Sequence, residues 1–388
     1  MIDYVSPYGE FVLTRPSEQK NETLQAWDTA DLYLLSYLRE SIVLCEKRVL
    51  IVNDLFGAIT VPMLAVGATC FSVSDSYISQ KAYFENCRRN NIDEKRLSFI
   101  DETRCFPEDI DIVLMKIPKS LAHLQEQLCR IKAVINSEAV IVAADKTKNI
   151  HNSTIALFKK IIGETKTSLA WKKSRIIHST NQMVNRSGDQ LPEIVESNYE
   201  LKEWKLTLRS KSSVFSQGKL DQGTAFLLHH LVVGDEAETI VDLACGNGVI
   251  GLVAKRLNPK ACVIFVDESY MAVESAKQNY ATYFSDSTAQ FVVDDCLSSL
   301  LVESSTTGTV DRVLCNPPFH QQKAMGKQTA HRMFQQAFEL LIEGGELWVI
   351  ANRHLAYHTV LKRRFGHCTL VSGNSKFVVL RSIKQGDR

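Results

Sequence analysis

The sequence predicts an α/β protein built from two tandem copies of one parallel-sheet unit, and three observations carry that expectation. Short apolar runs alternate with amphipathic helical stretches, the pattern of a parallel sheet covered by helices. At 388 residues the chain exceeds one ordinary domain, so two is the natural count. The landmarks of the second half also recur, in the same order, in the first half.

The first landmark is a buried strand followed by a turn. Residues 49–57 match residues 239–246, which sets Asn53 on Asp242 and Gly57 on Gly246. The second is a strand ending in an acidic residue: residues 71–76 match 265–269, with Asp75 on Asp267. The third is the run 111–118, which matches 311–318. The copies differ in the residues that carry chemistry. Gly246-Asn247-Gly248 becomes Gly57-Ala58-Ile59, and Asn316-Pro317-Pro318-Phe319 becomes Lys116-Ile117-Pro118-Lys119. The N-terminal copy is therefore expected to fold without catalysing. A polar stretch over residues 179–192 separates the copies and places the domains at 1–190 and 191–388.

Composition sets the class. A hydrophobic content of 45% with 23% charged residues is that of an ordinary globular protein. The net charge of +1 gives no global pull toward nucleic acid, so any basic surface must be local. One basic run exists: Lys159, Lys160, Lys166, Lys172, Lys173, Arg175 and His178, with Trp171 among them. It is either a solvated face or a phosphate-contacting patch with an aromatic platform, and Lys172, Lys173 and Arg175 are its candidate substrate contacts. The start, Met1-Ile2-Asp3-Tyr4, lacks the basic and apolar regions of a signal peptide. No apolar run approaches the roughly 20 residues that span a bilayer. The ten cysteines form no Cys-x-x-Cys pair, which fits free thiols in a reducing cytoplasm better than disulfides or a metal site.

The second copy carries the chemistry. Ile240-Val241-Asp242 ends a buried strand, and Gly246 and Gly248 let the backbone turn tightly against a ligand before an apolar helix. The spacing Gly246-x-Gly248-x-x-Gly251 also suits a dinucleotide, but Asp242 just ahead repels a pyrophosphate and favours a cationic or amine-bearing ligand. Asp267, ending the next strand, can accept both hydroxyls of a ribose. Asp294 and Asp295 follow a third strand, and Asp295 is the candidate partner for an adenine amino group. Each of these carboxylates has a plainer reading as a helix cap or turn former. The tetrapeptide Asn316-Pro317-Pro318-Phe319 closes a fourth strand. Its prolines remove N–H donors and leave carbonyls, the amide adds a further acceptor, and the ring offers a stacking face. Such a site grips a planar –NH2 by its hydrogens and leaves the nitrogen lone pair aimed at an electrophile.

The ordered set Asp242, Gly246, Gly248, Asp267, Asp295 and Asn316-Pro317-Pro318-Phe319 resembles class I S-adenosylmethionine-dependent methyltransferases that modify planar amino groups. Val214-Phe215-Ser216 with Leu220-Asp221-Gln222-Gly223-Thr224 looks like the segment that covers the cofactor in that class. His320, and Ala351-Asn352-Arg353-His354-Leu355 after Gly344-Gly345, are similar to the bacterial ribosomal RNA guanine-N2 methyltransferases, which also carry a degenerate N-terminal domain. The resemblance implies two tandem Rossmann-like class I methyltransferase domains, the N-terminal one degenerate, with S-adenosylmethionine as cofactor and ribosomal RNA as partner. It further implies methylation of a guanine N2 in 23S rRNA, with the 16S enzymes as the nearest alternative and a glutamine-amide methyltransferase of a translation factor as a third. Asn316, Pro317, Pro318 and Phe319 would form the catalytic pocket, with Phe319 and His320 against the base. The duplication is compatible with a monomer.

Overall fold

The computed structural model describes residues 4–16, 24–44, 46–181, 196–215, 218–285, 288–302, 308–318 and 323–386. The chain divides into two compact units, Met1–Val195 and Glu196–Arg388. The break expected at residue 190 falls within 182–195, outside the described residues.

The strands of the first unit are β1 (Tyr4–Ser6), β2 (Gly9–Phe11), β3 (Arg48–Val52), β4 (Thr69–Ser74), β5 (Ser98–Asp101), β6 (Ile110–Lys116), β7 (Ile135–Lys146), β8 (Thr165–Thr167) and β9 (Ser174–Thr180). Its helices are α1 (Thr29–Ser41), α2 (Thr60–Ala65), α3 (Tyr77–Arg89), α4 (Leu121–Lys132) and α5 (Asn152–Ile161). The second unit holds β10 (Ser197–Leu201), β11 (Leu206–Ser210), β12 (Thr239–Leu243), β13 (Cys262–Asp267), β14 (Gln290–Val293), β15 (Val310–Cys315), β16 (Leu341–Asn352), β17 (Thr369–Gly373) and β18 (Phe377–Ile383). Its helices are α6 (Gln222–Leu228), α7 (Val249–Leu257), α8 (Tyr270–Tyr283), α9 (Ser298–Val302), α10 (Lys323–Leu340) and α11 (Tyr357–Phe365).

Each unit is built on one seven-stranded sheet between two helical layers and also holds a separate two-stranded antiparallel sheet, β1-β2 in the first and β10-β11 in the second. The first sheet runs β5-β4-β3-β6-β7-β9-β8 and the second β14-β13-β12-β15-β16-β18-β17, the same order place for place. In each, the first five strands are parallel and the last two run against their neighbours. The central strands are apolar at nearly every position because both faces are covered. Val49 and Ile51 of β3 pack with α1, α2 and α3, while Leu50 and Val52 pack with α4 and α5. In the second unit Ile240 joins the layer of α6, α7 and α8, and Val241 and Leu243 join that of α10 and α11.

Hydrogen bonds fix how the copies superimpose. Asp111 Oδ2 accepts from the Arg48 amide at 2.9 Å, and Asp311 Oδ2 accepts from the Thr239 amide at 2.7 Å. Arg48 thus stands where Thr239 stands, and counting along the strand puts Ile51 at the place of Asp242, Asn53 at Ala244 and Gly57 at Gly248. The backbone agrees: φ is 62° at Asn53 and 60° at Ala244, and 87° at Gly57 and 84° at Gly248. The expected matches of Asn53 to Asp242 and of Gly57 to Gly246 are out by two residues. A uniformly apolar strand has no period from which to read register, and the one glycine left in the first loop has two candidate partners, Gly246 and Gly248. Ser76 and Ser269 cap α3 and α8 in the same way, so Ser74 stands at Asp267 and Asp75 at Glu268, one residue from the expected match. Lys116 does stand at Asn316, because Asp111 and Asp311 are equivalent.

Candidate functional site

In a parallel sheet the strand ends at the carboxyl edge, beside the point where strand order reverses, form the natural ligand crevice. In the second unit that edge is made by β12, β13, β14 and β15, and it gathers Asp242, the glycine loop, Asp267, Asp295 and Asn316.

Asp242 is fully buried. Its Oδ2 accepts from the Gly251 amide at 2.7 Å, which ties β12 to the first turn of α7, while Oδ1 is buried with no partner. Burial pushes its carboxyl up to about 7, against the Gly251 bond and with Asp267 adding to the rise. Between β12 and α7 the loop carries φ of 55° at Gly246 and 84° at Gly248, values that L side chains rarely adopt. A Cβ at Gly248 would meet Ala276 Cβ at 2.9 Å, whereas one at Gly246 would meet nothing within 4 Å. Gly246 therefore borders open space. Asp267 Oδ2 accepts from the Gly246 amide at 2.9 Å and Oδ1 from the Ser269 amide at 3.1 Å. Burial raises its pKa despite these bonds.

Asn316 follows β15 directly, with Pro317 and Pro318 after it. Its Nδ2 donates to Thr224 Oγ1 at 2.9 Å, and its Oδ1 is buried with no partner. An unmet buried acceptor costs on the order of 1–3 kcal/mol. Two such oxygens at one edge, Asp242 Oδ1 and Asn316 Oδ1, point to a ligand that brings donors. Phe319 and His320 lie outside the described residues.

Asp295 is buried and its Oδ1 is paired with Arg332 of α10. Asp294 Oδ2 takes the Ser299 amide at 2.6 Å and the Ser299 hydroxyl at 2.8 Å at the start of α9. The plainer cap reading therefore describes Asp294, while Asp295 is held by an arginine. Sequence reasoning missed Arg332, and it missed the grip on Asn247. Asn247 Nδ2 donates to Tyr199 Oη at 3.0 Å and Ser210 Oγ at 3.1 Å, and its main-chain carbonyl accepts from Asn279 Nδ2 at 2.9 Å. The small sheet of β10 and β11 thus braces the loop from outside the main sheet. Both the amide of Asn247 and a hydroxyl before the fold were visible in sequence, but nothing local linked them.

The same edge of the first unit is filled by its own side chains. Where the second unit has the loop, Asp54 accepts from the amides of Gly57, Ala58, Ile59 and Thr60 at 2.8–3.1 Å. Lys116, at the place of Asn316, is held by Asp28 Oδ1 at 2.8 Å and Asp31 Oδ1 at 2.7 Å. Asn53 and Gln127 exchange amide hydrogen bonds at 2.9 and 2.8 Å, and Glu102 pairs with His123 at 2.8 Å.

The basic run is spread over α5, β8, the turn between β8 and β9, and β9 itself. Lys166 pairs with Glu164 at 2.7 Å, His178 Nδ1 with Tyr37 Oη at 2.6 Å, and Arg175 is half-buried in β9. Lys172 and Lys173 remain exposed at the tip of the β8–β9 hairpin, with φ of 45° and 66°. Two central turn residues at positive φ form the turn that usually carries Asn-Gly. Trp171 and Leu169, 37% and 88% exposed, stand beside them, and Lys172 Nζ lies 4.6 Å from the Trp171 ring centre.

Among the described residues no cluster of three or more His, Cys, Asp or Glu is arranged to hold a metal ion, and no helix is long and apolar enough to cross a membrane. The nine cysteines there are free thiols.

The chain matches the family model "RLMG N-terminal domain" over residues 1–183 and "Methyltransferase small domain" over 205–381. It is similar to proteins named ribosomal RNA large subunit methyltransferase G. The relative from Pseudoalteromonas translucida is 45% identical, covering 96% of each chain. That from Psychromonas ingrahamii is 43% identical with the same coverage, and that from Aeromonas salmonicida 40%, over 96% of this chain and 97% of its own. Among solved structures, the T. thermophilus 16S rRNA N2 methyltransferase, determined with AdoMet and guanosine, shares the fold with a TM-score of 0.76. It is 18% identical and aligns over 99% of this chain and 98% of that one.

The buried carboxyl of Asp242 sets a pH test of the ligand-free protein. Below the unfolded value of about 3.9 it is protonated whether folded or not. Between about 4 and its folded value of about 7, the unfolded chain releases the proton and the folded one keeps it. Its contribution therefore falls as pH rises through that window. Asp242→Asn does not titrate. From pH 4.5 to 7.5 the wild-type melting temperature is expected to fall relative to that of the variant; parallel profiles would refute the raised value.

Proposed function

The chain belongs to the ribosomal RNA large subunit methyltransferase G family, and we propose that it methylates the exocyclic N2 of one guanine in 23S rRNA at the carboxyl edge of its second unit. It is an S-adenosylmethionine-dependent rRNA methyltransferase with an α/β fold of two methyltransferase-like domains. The observation that carries the guanine-amine reading is the buried, unpartnered Asn316 Oδ1 followed by two prolines.

The edge fits the cofactor. Gly246 leaves open space, Asp242 Oδ1 is a buried acceptor without a partner, and Asp267 ends β13 beside the loop. Asp242, Gly246, Gly248, Asp267 and Asp295 would hold it, with Asp267 toward ribose hydroxyls and Asp295 toward adenine. When bound, it supplies an electrophilic methyl group on a sulfonium. Asn316 Oδ1 and the Pro317 carbonyl accept the two N–H bonds of the guanine amine and aim its lone pair, and Phe319 offers a stacking face for a flipped base. His320 is a further contact to the base. Attack leaves a cationic amine that sheds its proton readily, so the chain's contribution is chiefly alignment.

The first unit, in this reading, grips RNA and binds no cofactor. Asp54 occupies the amides of its loop and Lys116 replaces the acceptor amide. The RNA contact is the hairpin tip, where Lys172 and Lys173 meet phosphates and Trp171 a base. Arg175, half-buried, drops out of that surface. The protein acts in the cytoplasm as a monomer without a metal.

Tritium transfer from labelled S-adenosylmethionine into 23S rRNA, followed by mapping of the modified base, tests the activity; label entering 16S rRNA or a translation factor instead would overturn it. Asn316→Ala is expected to lower turnover at least about tenfold, the loss of about 1.4 kcal/mol or more in the transition state, and near-wild-type turnover in a folded variant excludes the assigned role. Calorimetric titration of the full chain with the cofactor should read one site per chain, and two sites would show the first unit to be competent. Lys172→Ala with Lys173→Ala should weaken rRNA binding and flatten the slope of log K against log salt by about 1.5, the loss of two phosphate contacts. An unchanged slope removes the hairpin from the interface.

A further inference from the structure

We propose that Asp221 and Thr224 form a positioning pair that turns the Asn316 side chain so that its oxygen, rather than its nitrogen, faces the amine to be methylated. The inference rests on the reading of Asn316 as the acceptor of that amine.

An asparagine amide has two orientations of nearly equal shape, related by a half turn. One presents an acceptor to the incoming –NH2; the other presents a second –NH2 and repels it. Nothing within Asn316 selects between them. Thr224 Oγ1 lies 2.9 Å from Nδ2, but a hydroxyl can either donate or accept, so the threonine alone does not decide. Asp221 decides. Its Oδ2 accepts the Thr224 amide at 2.9 Å and the Thr224 hydroxyl at 3.4 Å. A carboxylate only accepts, so the single hydroxyl proton of Thr224 goes to Asp221. The Thr224 oxygen is then left as an acceptor, which takes the Nδ2–H of Asn316 and sends Oδ1 to the open side. Oδ1 is the oxygen that has no partner.

The duplication supplies an independent control. Asp221 is the N-cap of α6 and Thr224 its third helical residue. In the first unit Asp28 is the N-cap of α1 and Asp31 the third helical residue of that helix. Both reach the residue at the place of Asn316: Lys116 Nζ lies 2.8 Å from Asp28 and 2.7 Å from Asp31. In both copies the third helical residue holds the residue at that place directly, while the cap reaches it directly in the first unit and through Thr224 in the second. Where that residue is an ammonium, both holders are carboxylates. Where it is an amide, one carboxylate has become a hydroxyl, which is the change needed to make a relay with direction. The helix is also set at a fixed height, because a Cβ on Gly223 would meet Asp221 Oδ2 at 3.0 Å and Phe377 at 3.3 Å.

Thr224→Val keeps the shape and removes the hydroxyl, while Thr224→Ser keeps the hydroxyl. Turnover with 23S rRNA at saturating cofactor, cofactor affinity by calorimetry and melting temperature are measured on both. Thr224→Val should lose about tenfold in kcat, with the rRNA KM and cofactor Kd within about twofold, and Thr224→Ser should recover most of the loss. In an Asn316→Ala background Thr224→Val should cause no further loss, because the pair acts only through that amide. Unchanged kcat, no recovery by serine, or losses that multiply would each overturn the proposal. So would weakened cofactor binding with kcat intact, which assigns Thr224 to the cofactor pocket. If the valine variant melts early, Thr224→Ala takes its place in the same cycle. A wild-type protein that transfers no methyl to rRNA fails at Asn316 itself, a distinct result.

Discussion

One hydrogen bond at the amino edge of each sheet sets everything at the other edge. Asp311 Oδ2 holds the Thr239 amide, and Asp111 Oδ2 holds the Arg48 amide, at the start of the first and fourth strands. These strands are neighbours at the centre of the sheet, where the order reverses. A slip between them by one residue would turn every side chain to the opposite face. With the register pinned, Asp242 and Asn316 arrive at one edge from adjacent strands, one ending in a glycine loop and the other in a pair of prolines. The glycine loop depends on the same pinning, since the Asp242 bond to Gly251 sets where α7 begins.

Much of this was legible in sequence. Alternating apolar strands and helices gave the class, and the strand-terminal residues Asp242, Asp267 and Asn316 all reach one edge. What failed was register: Asn53 and Gly57 were set two residues off and Asp75 one. A buried parallel strand is apolar on both faces, so its composition carries no phase, and the lone glycine of the first loop had two partners to choose from. Ser76 and Ser269 would have fixed the second landmark, because a helix cap is a sharper marker than an acidic residue. The basic run is contiguous in sequence but is divided among several elements. Lys166 of β8 stands across from His178 of β9, Lys172 and Lys173 sit in the turn between the strands, and Arg175, an odd number of residues from His178, points to the other face of β9.

Other parts of the site had no local signature at all. Arg332 reaches Asp295 from α10, Tyr199 reaches Asn247 from a separate small sheet, and Thr224 reaches Asn316 from a helix that precedes the first strand. Each contact joins residues far apart in the chain, and each concerns the orientation of a site residue rather than its identity. Motifs announce the groups that do chemistry; the groups that aim them are found only in space.

The contrast between Asp54 and Asp242 bears on how the two halves respond to their surroundings. Asp54 gives the first unit its own permanent occupant at this edge, a carboxylate spread over four loop amides. In the second unit Asp242 Oδ1 and Asn316 Oδ1 stand unmet. A ligand that binds only the folded form adds about 2.7 kcal/mol when present at a hundred times its dissociation constant. On the proposed reading the second unit is therefore firm when the methyl donor is plentiful and looser when it is scarce, while the first unit does not sense the difference. The ratio of intact to opened second units, and with it the exposure of that half to proteases, becomes a readout of the donor supply in the cell.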